Sequence, residues 1–394
     1  MEATPSADNP SEDLAAQMGQ IIRHGGFGCA SGIGFNPQPP PNNGMNPTRS
    51  VIASRAGYAW RWAALPLTLS WLKYPKEMIM LGKAVASILQ AIGNTPAVRL
   101  NKVVPSSCAD VIVKLEYYNP TGSYKDRMAL AMIEEAEKRG DLRPGMTVVE
   151  YTGGSTGSSL AFVCAVKGYR FRVVSSDAFA KEKRQTMSVF GAELNIVPSQ
   201  GGKVTPDLVP RMMQRAREIA GSEPSYFTNQ LHNADSVKGY EQIGQELVGQ
   251  IDGPIHAFCG GVGTAGMVMG VAHILRRLNP SPRIIALEPA STPVISKAIS
   301  GTHHIEGVGI GFVPPLLDKT FFDEARAIDE AEARRMAWRL AREEGIFAGT
   351  STGMNVVGAI ALAWELGAGH TVVTVAVDSG LKYLAGDLYG QESP

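Results

Sequence analysis

Asn119-Pro120-Thr121-Gly122-Ser123-Tyr124-Lys125-Asp126-Arg127 joins an apolar run, Val111 to Leu115, to an amphipathic helical pattern that ends at Gly140. Lys125 falls at the start of that helix. Unpaired backbone N–H groups give a helix start positive potential, so an ammonium there is disfavoured and its pKa is pushed down. Such a lysine suits work as a neutral amine, as in Schiff-base chemistry. Taken alone, Lys-Asp-Arg reads more readily as a solvated charged turn, and the rest of the chain decides between the two.

Downstream of the lysine, strand-like and helix-like runs alternate. Thr147 to Glu150 leads through a glycine turn into a helix over Ser158 to Lys167, then come strand Phe171 to Ser175, helix Lys181 to Phe190 and strand Glu193 to Val197. Further units follow at Ile255 to Cys259, Ala265 to Leu278, Arg283 to Glu288, Glu330 to Glu344, Thr352 to Leu366 and Thr371 to Val377. A strand-then-helix rhythm predicts an α/β fold with parallel sheets covered by helices on both faces. Upstream, Val85 to Ile92 reads as a short helix, and Gly93-Asn94-Thr95-Pro96 as a turn into an extended segment.

Several glycine-rich turns sit between these elements. Thr152-Gly153-Gly154-Ser155-Thr156-Gly157 offers amides and hydroxyls that suit a carboxylate, although such turns join strands to helices in every α/β protein. Gly260-Gly261-Val262-Gly263-Thr264-Ala265-Gly266 contains G-x-G-x-x-G after an apolar strand, and Glu288 ends the next strand. On that stretch alone a dinucleotide site is the favoured reading. Its late position in the series and the hydroxyl of Thr264 favour a terminal phosphate instead. Gly349-Thr350-Ser351-Thr352-Gly353 starts another helix, where Ser351 is a candidate cap.

The lysine loop resembles that of the cysteine synthase and cystathionine β-synthase family, pyridoxal-phosphate enzymes of the second fold type. Segments from Leu81 to Leu384 agree with that family in order. The resemblance implies a two-lobed fold: one lobe from about 78–118 and 230–394, and a smaller, mobile lobe over about 119–229. It further implies pyridoxal phosphate held as an imine on Lys125, its phosphate on Gly260, Gly261, Val262, Gly263 and Thr264, and its ring nitrogen on Ser351. Thr152, Gly153, Ser155, Thr156 and Gln230 match the substrate-binding positions. Ser155 stands where the family has an Asn that also contacts the cofactor, so the shorter side chain puts that contact in question.

The activity implied is β-replacement, making L-cysteine from O-acetyl-L-serine and sulfide through an aminoacrylate. Glu306-Gly307-Val308-Gly309-Ile310-Gly311-Phe312-Val313-Pro314, beside the family's active-site mouth, has no arginine to select a phosphorylated serine. Cystathionine synthesis or cysteine desulfhydration would keep every motif. A nicotinamide enzyme would leave Lys125 without a purpose, and a non-catalytic binding relative is the remaining alternative. A homodimer and a serine acetyltransferase tail entering the cleft are the partners the family implies.

Composition agrees with small-molecule chemistry. Among 394 residues, 37 basic residues balance 37 acidic ones, so no global field draws the chain to nucleic acid or an anionic membrane. Cys29, Cys108, Cys164 and Cys259 lie far apart without metal-ligand spacing, which predicts a reducing, cytoplasmic setting and no metal. His303-His304 reads as a loop pair. Residues 1–77, with Pro37-Gln38-Pro39-Pro40-Pro41-Asn42-Asn43-Gly44, lack sustained periodicity. They are expected to be disordered or to precede a true start at Met78 or Met80. Ala63 to Leu72 is too short for a membrane span of about 20 residues.

Overall fold

The computed structural model describes residues 84–202, 205 and 207–390. The chain divides into two units at Met80 and Leu81, and every described residue belongs to the second. The expectation for residues 1–77 lies outside the described residues.

Two sheets organise the described unit. The larger contains β1 (Ala97–Arg99), β2 (Asp110–Leu115), β7 (Ala257–Gly261), β8 (Arg283–Pro289), β9 (Glu324–Ile328) and β10 (Thr371–Ala376), in the order β1-β2-β10-β7-β8-β9. Only β1 runs antiparallel, with Val98 opposite Val113. The smaller sheet contains β3 (Thr147–Tyr151), β4 (Arg170–Ser176), β5 (Glu193–Val197) and β6 (Ser225–Phe227), all parallel, in the order β5-β4-β3-β6.

Alternation within the strands explains the layers. Ala257, Cys259, Ile285, Leu287, Val372 and Ala376 join one buried cluster. Their neighbours Phe258, Ile284, Ala286, Val373 and Val375 join another. A period of two sends successive side chains to opposite faces, so both faces of the large sheet are apolar and both carry helices. The face lined by Ala257 and Cys259 packs on α7 (Glu330–Arg339) and α8 (Thr350–Leu366) through Ala333, Met336, Met354 and Val356. The opposite face packs on α5 (Asp235–Gln250) and α6 (Gly266–Leu275). In the small sheet Val148, Phe171 and Val173 face α1 (Lys125–Arg139) and α2 (Ser155–Lys167), while Val149, Tyr151 and Val174 face α4 (Leu208–Ser222).

Three local outcomes differ from the sequence-based expectation. The helix expected over Val85 to Ile92 is a single 3-10 turn, Ile88–Ala91, capped by Ser87; none of its residues is fully buried and only Leu89 packs against the core, too little apolar surface to extend it. Helix α2 begins at Ser155 rather than Ser158, because Gly154 takes the capping position. That shift places Ser155, Thr156 and Gly157 in its first turn. The run from Glu330 changes from α7 to a π turn, Leu340–Glu344, before Gly345 at φ +71°.

Candidate active site

Parallel sheets expose their ligand-binding loops at the carboxyl ends of the strands. Lys125 follows β2, Asp378 follows β10 and the glycine loop Val262 to Gly266 follows β7, on three adjacent strands of the large sheet. Thr152 to Thr156 follow β3 and Gln230 follows β6, adjacent strands of the small sheet.

Lys125 is the first residue of α1, as the sequence requires, and is 8% exposed. Gly122, at φ +72°, makes the turn that delivers it, and Tyr124 N–H bonds Val377 O at 3.1 Å to dock the loop on β10. Its Nζ has no hydrogen-bond acceptor among the described residues and lies 4.7 Å from the centre of the Tyr124 ring. Burial pushes the ammonium down to about 8, with the Asp378 carboxylate opposing. The neighbours in the Lys-Asp-Arg triplet are structural. Asp126 accepts from Thr121 N at 2.7 Å and Thr121 Oγ1 at 2.6 Å. Arg127 is buried between Glu116 and Glu246, making bonds of 2.7 and 2.9 Å to the first and two of 2.7 Å to the second. Helix α1 is thus fixed at its origin, with the lysine alone left free.

At the glycine loop, Gly261 N–H donates to Asn355 Oδ1 at 2.8 Å and Val262 N–H to Leu287 O at 2.9 Å. Those two amides are engaged. The amides of Gly263, Thr264, Ala265 and Gly266 have no acceptor among the described residues and stand at the start of α6. The cradle therefore falls toward the C-terminal half of the stretch singled out in the sequence. A Cβ on Gly263 would lie 2.2 Å from Gly307 O, so only glycine fits there. Ala265 holds φ +69°, a left-handed conformation that costs a non-glycine residue about 1–3 kcal/mol and is retained where surrounding structure enforces it.

Ser351, 2% exposed, has an Oγ with no hydrogen-bond partner among the described residues. A buried hydroxyl without a partner costs stability unless a ligand completes it. A free amine, an anion cradle at a helix start and an orphaned hydroxyl together fit the aldehyde, phosphate and ring nitrogen of pyridoxal phosphate. They do not fit a dinucleotide. Glu288, which that reading needs for a ribose, is 1% exposed and accepts from Ile295 N at 2.7 Å and from Ser296 N at 2.9 Å, bracing its own loop.

The remaining expected residues lie on the turns after β3 and β6. Thr156 Oγ1 donates to Gln230 Oε1 at 2.8 Å, and Gln230 Nε2 donates to Tyr151 O at 3.2 Å. Buried Glu150 orders this loop by accepting from Gln230 N at 3.0 Å and Thr228 Oγ1 at 2.7 Å. Gly153 lies under the Phe179 ring, where a Cβ would be 2.4 Å from two ring carbons. Ser155 Oγ lies 3.4 Å from Asp378 Oδ2, which also accepts from Tyr383 OH at 2.9 Å. The amides of Gly153, Ser155 and Thr156 have no acceptor among the described residues.

Sequence reasoning missed two lysines at this turn. Lys382 Nζ is 3.4 Å from Ser155 Oγ. Lys183, only 5% exposed, pairs with Glu306 and sits 4.9 Å from the centre of the Tyr383 ring. In the sequence Lys183 belongs to the charged run Lys181-Glu182-Lys183-Arg184, which reads as a solvated helix face. The signal available for Lys382 was its place four residues beyond Asp378, itself at the end of the last strand. His303, by contrast, is a loop brace, 2.8 Å from Gly309 O.

The chain belongs to the pyridoxal-phosphate dependent enzymes, whose family model matches residues 88–378. Within that class it is similar to a cysteine synthase of Staphylococcus aureus, 41% identical over 312 residues that span 79% of this chain and 99% of the relative. Among solved structures it is similar to a cysteine synthase of Entamoeba histolytica, with TM-score 0.73, 32% identity and coverage of 80% of this chain and 93% of that one. It is likewise similar to an O-ureido-L-serine synthase, with TM-score 0.72, 35% identity and coverage of 78% and 96%.

Proposed function

We propose that this chain makes L-cysteine from O-acetyl-L-serine and sulfide by β-replacement. The observation that carries the reading is the Lys125 amine, buried, without an acceptor and titrating at about 8, in a chain 41% identical to a cysteine synthase. Bound pyridoxal phosphate supplies the electron sink that makes the substrate Cα–H bond acidic. Lys125 would hold the cofactor, and its free amine would take the substrate α-proton as general base. The amides of Gly263 to Gly266, with Thr264, hold the phosphate, and Ser351 Oγ meets the ring nitrogen. A neutral hydroxyl there suits elimination more than transamination. Ser155 and Thr156 offer helix-start amides to the donor's carboxylate, and Gln230 borders the leaving group.

The same reading assigns closure of the lobe over about 119–229 to the moment the carboxylate binds, excluding water. It includes a homodimer, a serine acetyltransferase tail as a cleft ligand and a cytoplasmic location. No helix among the described residues is long and apolar enough to cross a membrane. The test is the visible absorption of the holoenzyme before and after O-acetyl-L-serine. A cofactor band that moves on addition supports the donor, an unmoved band refutes it, and a protein that takes up no cofactor refutes the whole reading.

A further inference from the structure

Ser155 replaces a longer amide side chain of the family at the turn expected to receive the substrate carboxylate, and the structure shows what its hydroxyl does instead. A serine hydroxyl has one proton to donate. Ser155 Oγ has two neighbours at 3.4 Å, the Lys382 ammonium and Asp378 Oδ2. An ammonium only donates and a carboxylate only accepts, so the direction is fixed: Lys382 gives to Ser155, and Ser155 gives its proton to Asp378. Tyr383 OH also gives to Asp378 Oδ2. Both contacts are long, and they point the serine's one proton at Asp378 rather than toward a ligand.

Lys382 is in the opposite condition. Its ammonium carries three donors, and its one hydrogen bond among the described residues is the long one to Ser155. No carboxylate among the described residues lies within ion-pairing distance of it; burial lowers its pKa, and Asp378 and Asp126 oppose that at longer range. Lys183, which lies against Gly154, is committed to Glu306 and to the Tyr383 ring. Beside Lys382 stand the amides of Ser155 and Thr156 at the start of the 13-residue helix α2, also without acceptors. A cation with spare donors next to free helix-start amides calls for an oxygen anion.

We propose that Lys382 is a side-chain ligand of the substrate α-carboxylate, supplying a long cationic donor at a turn whose own side chain, Ser155, is short and directed at Asp378. Asp378 and Tyr383 act as positioning residues, holding Ser155 and through it the ammonium. The inference rests on the proposed amino-acid substrate and not on the identity of its leaving group.

The test uses holoenzyme and two ligands that differ by one carboxylate, L-alanine and ethylamine, each titrated against the visible band of the bound cofactor. Lys382→Gln is expected to weaken L-alanine by about 10- to 100-fold, the scale of one charge-assisted hydrogen bond, and to leave ethylamine within about twofold. Lys382→Arg, which keeps the charge, retains most of the L-alanine affinity and shows that the fold tolerates change there. Ser155→Asn in the Lys382→Gln background recovers part of the loss by restoring a longer donor. Equal weakening of both ligands, no weakening of either, or a wild-type band that ignores L-alanine overturns the proposal. A wild type that binds L-alanine yet never converts O-acetyl-L-serine refutes the donor and leaves Lys382 standing.

Discussion

Replacing Arg127 by methionine tests whether the lysine loop is held by buried charge. The guanidinium joins Glu116, from the end of β2, to Glu246, on α5, through four bonds of 2.7 to 2.9 Å, and the side chains of Arg127 and Glu116 are wholly buried. Methionine keeps much of the apolar stem and removes every bond. Glu246 keeps Lys114 at 2.6 Å, but Glu116 is left with Thr95 and Asn119 and, among the described residues, no cation within ion-pairing distance. Breaking a buried pair from one side costs about 3–5 kcal/mol. With a urea m-value of about 3 kcal/mol/M, the midpoint of apoenzyme unfolding falls by about 1 M or more.

Arg127→Met also changes the acid limb of the stability curve. Burial opposes the ionised Glu246, yet Arg127 and then Lys114 more than offset it and hold the carboxyl down to about 2. A depressed carboxyl contributes stability that is present above its unfolded pKa, about 4.3, and is lost as pH falls through its folded value. In Arg127→Met the part of that loss due to Arg127 disappears, so the difference between variant and wild type narrows toward pH 2. A midpoint change under about 0.3 M at pH 7, or a difference that does not narrow in acid, would refute the clamp.

Three further outcomes are expected. The rate at which apoenzyme captures pyridoxal phosphate rises with pH to a plateau with its midpoint near 8, because Lys125 reacts as the neutral amine; a midpoint above 10 in stopped-flow absorbance contradicts this. Gly263→Ala drives a Cβ to 2.2 Å from Gly307 O, a backbone atom that no rotamer change can move, and cofactor retention on dialysis falls at least tenfold. Ser351→Ala removes a buried hydroxyl without a partner, so apoenzyme stability rises by about 1 kcal/mol in urea while cofactor affinity falls severalfold. A fall in both is the contrary result.

The fold was legible where the chain repeats a local rule. Short apolar runs marked β7, β8 and β10, an amphipathic pattern ending at Gly140 marked α1, and the loop ending at Arg127 marked the lysine. Other elements carried too little local signal. Strand β6 is three residues long, β9 is a charged edge, Glu-Ala-Arg-Ala-Ile, and the amphipathic helix α4 follows Gln200-Gly201-Gly202 and contains Pro210. The site was legible in its glycine turns and hydroxyls, since those constrain the backbone beside them. Its charge pairing was not. Arg127 and Glu246 are 119 residues apart, and Ser155 and Lys382 are 227 apart. No periodicity links such residues, because only the packing of one sheet beside the other brings them together.

The most direct measurement is L-cysteine formed by purified holoenzyme from O-acetyl-L-serine and sulfide, run beside Lys125→Ala under the same conditions. The wild type is expected to release cysteine in proportion to enzyme and the variant to release none above the uncatalysed background. Cysteine formation that survives the loss of Lys125, or a cofactor-loaded wild type that forms none, would contradict the account.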